Sequence, residues 1–199
     1  MKNSFIILSF FVIGILLGIF HIIPGLLTDS KLSEYTLYLL MLLVGIGIGG
    51  DRKTWTTLKK ANIKVLLVPL TVIIGSLSAT VFLSFFMKTI TLKEMLAVSS
   101  GFGYYSLSSI IITKFHGETL GVIALIANLS REIITLIIAP ALFKYFGKLA
   151  PIASGGATAM DTTLPIITKC VGKDYAIISV FSGVVLTILV PFIVTFFIK

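Results

Sequence analysis

Residues 155–172 read GGATAMDTTLPIITKCVG, and this stretch decides the fold. It opens with glycines and other small residues, carries an acid at Asp161, and continues as an apolar segment that contains Pro165. Glycine costs about 1 kcal/mol in a helix interior relative to alanine, and proline removes a helical hydrogen bond. The stretch therefore predicts a helix that is interrupted close to an acidic residue.

A second stretch, 55 residues earlier, resembles the first. Residues 100–117 read SGFGYYSLSSIIITKFHG, and IIITKFHG aligns with PIITKCVG. In this register Ser106 pairs with Asp161. Two matched segments that are each interrupted by glycine or proline are typical of a transporter binding site. We therefore predict an internal repeat of broken or re-entrant helices. The alternative is that the small residues only allow close packing of helices.

The composition is that of an integral membrane protein. The chain has 199 residues, of which 57% are hydrophobic and 12% charged, whereas soluble domains carry about 25% charged residues. The apolar runs are continuous, which argues against the alternating strands of a membrane barrel. We predict an all-α polytopic membrane protein with about six transmembrane helices, forming one transporter domain over residues 1–199. The candidate spans are 5–23, 35–49, 65–86, 95–113, 121–143 and 176–198.

The net charge of +8 fits membrane topology better than nucleic-acid binding, because the bases are spread over loops and both termini. Basic residues stay on the cytoplasmic side of a membrane, and the densest basic group lies between the second and third runs. The N-terminus is therefore predicted to be cytoplasmic. Whether residues 151–168 cross the membrane, and hence the side of the C-terminus, stays open. The basic group is Arg52, Lys53, Lys59, Lys60 and Lys64.

Only two of the eight acidic residues, Glu132 and Asp161, lie where water should be scarce. A charge at that depth costs roughly 2.5–3.5 kcal/mol on insertion scales, so it normally faces a cavity, a partner or a substrate. Asn128, Glu132 and Thr135 share one face of a helix, which predicts a polar stripe toward the bundle interior. The alternative for Glu132 is a structural ion pair.

Asp161 lies in MDTTLP, where Pro165 frees a backbone carbonyl and Thr162 adds a hydroxyl. These groups suit a cation, although Asp161 at the start of a helix is also a candidate N-cap. Tyr105, in the first glycine-rich stretch, is a candidate cation–π partner for an ammonium or an interfacial anchor. Two acids favour a cationic cargo or protons over an anion.

No enzyme is predicted, because the sequence has no phosphate-binding loop, no zinc spacing and no nucleophile triad. The single cysteine, Cys170, allows neither an intramolecular disulfide nor a cysteine–histidine metal site. No cofactor and no metal are therefore expected.

Several motifs together carry a family resemblance. The chain resembles the LysO lysine exporters of bacterial inner membranes in EYTLYLLMLLVGI (34–46), SSGFGYYSLSS (99–109), ANLSREIITLIIAP (127–140), GGATAMDTTLPI (155–166) and LVPFIVTFF (189–197). The resemblance implies export of lysine and of toxic lysine analogues, with essential acids in the R-E and M-D motifs, here Glu132 and Asp161. Longer members carry additional N-terminal spans. The chain therefore resembles a short member, in which the missing spans are dispensable or are replaced by a second copy or a separate small subunit. Of these a homodimer is expected.

The leading hypothesis is a secondary transporter of the inner membrane that exports L-lysine or similar cationic amino acids in exchange for protons. The alternative is a cation antiporter for Na⁺ or H⁺ without amino-acid specificity, and a third hypothesis is a non-transporting subunit that docks a partner. The predicted substrate- or proton-binding residues are Glu132, Asp161, Asn128, Ser106, Thr162, Tyr105, Gly101, Gly103, Gly155 and Gly156.

Overall fold

The computed structural model describes residues 63–87, 89–172 and 175–199, together with scattered positions between 9 and 46. The described residues form helices and turns and no strand, so the predicted all-α class is confirmed. Three of these helices are long and apolar enough to cross a membrane. They are α1 (Ile63–Ser84), α4 (Glu118–Phe146) and α7 (Ala176–Ile198). The runs 5–23 and 35–49 lie outside the continuously described residues.

The run 95–113 is not one helix. It is divided into α2 (Leu92–Ser99) and α3 (Tyr105–His116) by a turn at residues 100–104. The pKa of Glu94, in the first turn of α2, is lowered by its hydrogen bonds from Thr91 and also by His116 at the far end of α3. An unbroken helix would separate Glu94 from His116 by about 33 Å. The two helices therefore form a re-entrant hairpin, called hairpin 1, whose ends lie on the same side.

The stretch quoted at the outset forms a second hairpin. Hairpin 2 consists of α5 (Ala150–Gly155), a 3-10 helix (Gly156–Met160) and α6 (Leu164–Val171). Just before α5, the Lys148 Nζ lies 5.0 Å from the centre of the Tyr175 ring, which follows α6. The ends of hairpin 2 are therefore adjacent too, so residues 151–168 enter the bundle and return without crossing it.

The two hairpins enter the bundle from opposite ends. Helix α4 starts beside the end of hairpin 1 and has 29 residues, or about 43 Å of helix, before hairpin 2 begins. Helix α7 then runs back, because the Lys199 Nζ lies 5.8 Å from the centre of the Phe115 ring at the end of α3. Hairpin 1 therefore lies at one end of the bundle and hairpin 2 at the other.

A shift of 55 residues aligns two halves that follow the same order of elements and run in opposite directions. It places the start of α1 on the start of α4, which runs in the opposite direction, and the end of hairpin 1 on the end of hairpin 2. Those ends are Gly117 and Gly172, with φ of 85° and 95°. Transporter repeats of this kind are related by a pseudo-twofold axis in the membrane plane.

Two hydrogen bonds join residues that this shift makes equivalent. The Ala157 amide donates to the carbonyl oxygen of its counterpart, Phe102, over 2.9 Å. The Arg131 Nη1 donates to the Oγ of its counterpart, Ser76, over 2.9 Å. The first bond joins the tips of the two hairpins, and the second joins α4 to α1.

Two apolar clusters hold the hairpins in place. The larger one packs hairpin 1 against the second half of α7 and includes Phe102, Ile112 and Val190, all fully buried. The smaller one packs hairpin 2 against the first half of α1 through residues such as Val68, Ile152 and Ile167. The larger cluster also includes Ala157 from the tip of hairpin 2, so the two tips are packed into the same core where they touch.

Candidate functional site at the hairpin tips

The tip of hairpin 1 is a tight turn that α4 holds closed. Phe102 and Gly103 have φ of 46° and 97°, and the Gly103 amide donates to the Asn128 Oδ1 over 2.8 Å. The Asn128 Nδ2 donates in turn to the Val98 carbonyl at the end of α2, over 3.0 Å. Asn128 therefore satisfies backbone groups that the broken helix leaves without helical partners.

The tip of hairpin 2 is held by Arg131, one turn further along α4. Its Nε donates to the Ser154 carbonyl over 2.9 Å, and its Nη2 to the Ala153 carbonyl over 3.0 Å. These carbonyls lie at the end of α5, where a positive charge is also favoured by the helix dipole. Arg131 is therefore a clamp on hairpin 2, reaching back to Ser76 of α1.

Glycine is required where the two tips touch. Gly156 has φ of 61°, and a Cβ there would overlap the Phe102 carbonyl oxygen. A Cβ on Gly101 would lie 2.6 Å from the Asn128 amide. Gly155 also packs closely, since a Cβ there would lie 2.8 Å from the Thr163 Oγ1. These three glycines bring backbones and side chains close together.

A cavity of about 210 Å³ lies beside the touching tips. Six of the residues predicted from the sequence line it, and four do not. The lining residues are Gly103, Tyr105, Ser106, Glu132, Asp161 and Thr162. Outside the lining lie Asn128, Gly101, Gly155 and Gly156, which shape the tips as described above.

The two acids reach the cavity from different elements. Glu132 projects from the middle of α4 and is fully buried, and Asn128 and Thr135 on the same face are buried as well. Asp161 lies in the turn before α6, is exposed, and accepts a hydrogen bond from the Thr162 amide. Both carboxylates are within electrostatic range of the Tyr105 hydroxyl. The N-cap of α6 is Thr163 rather than Asp161.

Five further residues line the cavity and are not among the ten predicted site residues: Tyr104, Ala157, Thr158, Met160 and Thr187. The shift of 55 residues takes Gly103 to Thr158 and Tyr105 to Met160, so the matched stretches contain a signal for these two. Thr187 lies in α7, outside the matched stretches, and no sequence pattern indicates it.

The cavity suits an organic or small inorganic cation. It offers two carboxylates and several hydroxyls. Among the described residues, no group of three or more histidine, cysteine, aspartate or glutamate side chains is placed to hold a metal ion. Buried charges in proteins are paired or hydrogen-bonded. An ammonium with three donors matches such a set of oxygen acceptors.

A second, larger cavity has a volume of about 730 Å³. Its lining is mostly apolar and comes mainly from α1 and α4. Its most polar residues, Asn128 and Arg131, already make the hydrogen bonds that hold the tips. The smaller cavity, which contains both acids, is therefore the better candidate for a binding site.

Comparison with known proteins identifies the family. A family model described as Lysine exporter LysO matches residues 8–198. Lysine exporter LysO of Escherichia coli (strain K12) is 35% identical over 170 residues, which cover 84% of this chain and 55% of that relative. The chain thus spans about half the length of the E. coli protein. A putative lysine exporter of Haemophilus influenzae is 36% identical over 193 residues, 96% of each chain. No solved structure matches. The chain belongs to the lysine exporter LysO family.

Proposed function

We propose that this chain is a secondary transporter of the inner membrane that exports L-lysine and similar cationic amino acids from the cytoplasm. Its relatives in E. coli and H. influenzae are named as lysine exporters. The observation that carries the proposal is the cavity between the two hairpin tips, in which Glu132 and Asp161 both lie. Discontinuous helices that meet at a repeat interface are where transporters place substrate and ion sites.

The chemistry of the two acids supports exchange of cargo for protons. An ionised carboxylate at membrane depth is costly unless a cation or a proton neutralises it. Lysine brings ammonium groups that serve this purpose, and a proton serves it equally well. In the proposed cycle, Glu132 and Asp161 hold the cargo when the site is loaded and hold protons during the return. Gly103, Tyr105, Ser106 and Thr162 are proposed as further contacts.

The remaining predicted residues are proposed to act through the shape of the tips. Asn128 and Gly101 fix hairpin 1, while Gly155 and Gly156 allow hairpin 2 to touch it. A movement of either tip would open or close the cavity between them. We propose that such movements expose the two acids alternately to the two sides of the membrane.

The distribution of charge supports an orientation. Lys144, Lys148 and Lys169 lie at the end of the bundle from which hairpin 2 enters, and Lys93, Lys114 and Lys199 lie at the other end, so these lysines are balanced. The base-rich stretch 52–64 of the sequence leads into α1, which begins at the end where hairpin 2 enters. Basic residues favour the cytoplasmic side. We therefore propose that hairpin 2 enters from the cytoplasm and hairpin 1 from outside, with Lys199 outside. The N-terminus and the homodimer stay predictions of the sequence.

A cation antiporter without amino-acid specificity is the second candidate. It is favoured by the small volume of the cavity, about 210 Å³, and by its hydroxyl-rich lining, since a dehydrated ion needs only oxygen ligands. Proton flux that depends on Na⁺ but not on lysine, in vesicles containing the purified protein, would select this candidate.

Neutralising each acid tests the proposal. Glu132→Gln and Asp161→Asn are each expected to abolish lysine efflux from cells loaded with a lysine-containing dipeptide, because each removes a charge that the cargo needs. Glu118→Gln is the matched control. Glu118 is exposed in the first turn of the same helix as Glu132 and lies outside the cavity, so its variant should export normally. Wild-type efflux in either cavity variant, at equal protein level, would refute the proposal.

A further inference from the structure

The larger cavity carries a positive charge. Arg131 is the only charged residue among the described residues that line this cavity. It lies near the middle of α4, with about 20 Å of helix on either side. A charged side chain at that depth of a membrane is paired with another charge or marks the path of a substrate or ion. The charge of Arg131 therefore favours an anion in the larger cavity.

The guanidinium of Arg131 has donors left for such an anion. It carries five N–H groups, and its three hydrogen bonds use one of them on each of Nε, Nη1 and Nη2. The three acceptors are neutral, namely two backbone carbonyls and the hydroxyl of Ser76. One N–H on each terminal nitrogen thus has no partner within the described part of the chain. Two N–H groups are what a carboxylate accepts from an arginine in a bidentate pair.

The two cavities adjoin at the tip of hairpin 1. Gly103 lines the smaller cavity, and a Cβ built on Gly103 would lie 3.8 Å from the Arg131 Cδ. The smaller cavity contains the carboxylates of Glu132 and Asp161, whereas none of the described residues that line the larger cavity is acidic. Negative and positive charge are thus placed in neighbouring cavities.

This distribution of charge matches a basic amino acid. Such a molecule has two ammonium groups and one carboxylate, and the two cavities together offer two acids and one guanidinium. Like charges placed side by side repel each other strongly, so the carboxylate of the cargo is disfavoured in the smaller cavity. The volumes agree, because sites for small molecules occupy roughly 300–1,000 Å³. The larger cavity, at about 730 Å³, is in that range, and the smaller one, at about 210 Å³, is below it.

We propose that the larger cavity binds the carboxylate of the cargo, with Arg131 as its bidentate partner, while the smaller cavity binds an ammonium group. This proposal rests on the proposed function and adds a cavity that the proposed function does not use. Arg131 then has two roles. Three of its N–H groups hold hairpin 2 and α1, and the other two select cargo that has a carboxylate. Amino acids are therefore preferred over diamines of the same length.

Competition by cadaverine, the decarboxylated form of lysine, tests the proposal on the unaltered protein. Cadaverine has two ammonium groups like lysine and differs from it only in lacking the carboxylate. In proteoliposomes, its inhibition constant against uptake of labelled lysine should be at least about tenfold above that of unlabelled lysine, since a hydrogen bond between charged groups is lost. Equal inhibition by the two compounds would overturn the proposal. A wild type that takes up no lysine would instead refute the proposed function.

Arg131→Gln tests whether Arg131 is the group that recognises the carboxylate. This variant should bind lysine about as weakly as cadaverine, while its inhibition constant for cadaverine stays near that of the wild type. Thr135→Val is the control for a loosened hairpin 2. Thr135 shares a hydrogen bond with Ser154 and lines neither cavity, so its variant should keep the wild-type ratio of the two constants. A wild-type ratio in Arg131→Gln would overturn the proposal.

Ala127→Phe gives an independent test, which holds even if Arg131→Gln does not fold. Ala127 is exposed, lines the larger cavity and lies one turn before Arg131 on the same face of α4. A phenyl ring there would fill space beside the guanidinium, so inhibition by lysine should weaken about tenfold and inhibition by cadaverine should not. Ile126→Phe is the matched control, since Ile126 is exposed and lines neither cavity. The same inhibition constant for lysine in both variants would contradict a carboxylate site in the larger cavity.

Discussion

Hairpins 1 and 2 share one backbone plan but differ at their tips. Both consist of two short helices joined by a turn, and both end at a glycine with positive φ, Gly117 and Gly172. The tip of hairpin 1 is a turn with two left-handed residues, Phe102 and Gly103, whereas the tip of hairpin 2 is a 3-10 helix with Gly156 as its left-handed residue. At the equivalent position after each tip, hairpin 1 has the hydroxyl of Ser106 and hairpin 2 has the acid Asp161.

The two hairpins therefore share a backbone arrangement and differ in the side chains that they place at the cavity. Helix α4 serves both tips from little more than one turn. Asn128 binds hairpin 1, Arg131 binds hairpin 2, and Glu132 enters the cavity between them. Two of these three side chains therefore hold the hairpin tips, and the third lines the cavity. From α7, Thr187 lines the same cavity.

The contact between the tips is expected to be the least tolerant point of the molecule. Gly156→Ala should prevent the tips from meeting, because the new Cβ overlaps the rigid Phe102 carbonyl and the φ of 61° is unfavourable for alanine. We expect loss of folded protein, measured as the monodisperse yield in detergent, and loss of lysine efflux.

Gly75→Ala is the control for that substitution. Nothing lies within 4 Å of a Cβ built on Gly75, and alanine is favoured over glycine in a helix interior by up to about 1 kcal/mol. This variant should fold and export normally. A Gly156→Ala protein with normal yield and efflux would show that the tips need not touch.

Removing the two clamps should separate the two hairpins. Arg131→Met removes the side-chain donor to the Ala153 and Ser154 carbonyls. Asn128→Leu removes the acceptor of the Gly103 amide and one of the two donors to the Val98 carbonyl. Each unsatisfied buried group costs about 1–3 kcal/mol. Hydrogen exchange should therefore accelerate in hairpin 2 for Arg131→Met and in hairpin 1 for Asn128→Leu. Equal acceleration of both hairpins in either variant would contradict separate clamping.

The smallest expected effect concerns a cap that only hairpin 1 has. The Thr91 hydroxyl and amide both donate to the Glu94 carboxylate, over 2.6 and 2.8 Å, which closes a capping box at the start of α2. Thr91→Ala should lower the free energy of unfolding by about 1 kcal/mol. The measurement is thermal unfolding in detergent, with Thr119→Ala, near the start of α4, as a control.

The pH dependence of that effect has a defined sign. Because these hydrogen bonds lower the pKa of Glu94 below its ordinary value of 4.5, the ionised carboxylate stabilises the fold above that value. This contribution is lost as the pH falls below it. The stability difference between wild type and Thr91→Ala should therefore shrink in acid. A difference that grows in acid would contradict the assignment.

Much of this molecule was predictable because its signals are local. The cost of an acid at membrane depth identified Glu132 and Asp161, and clustered glycines identified both broken helices. The direction of the chain after each break was not predictable, since a straight and a folded-back helix leave the same apolar pattern. The partner of Arg131 was not predictable either, because Ser154 lies in a separate hairpin and only the fold brings the two residues together.

The measurement that tests the central claim most directly is uptake of labelled lysine into proteoliposomes under an imposed pH gradient. Wild type and Glu118→Gln should concentrate lysine in response to the gradient, while Glu132→Gln and Asp161→Asn should not. Unlabelled ornithine and arginine, added as competitors, would rank the cargo. Lysine uptake by the wild type that ignores the gradient, or gradient-driven uptake that persists without both acids, would contradict proton-coupled export through this cavity.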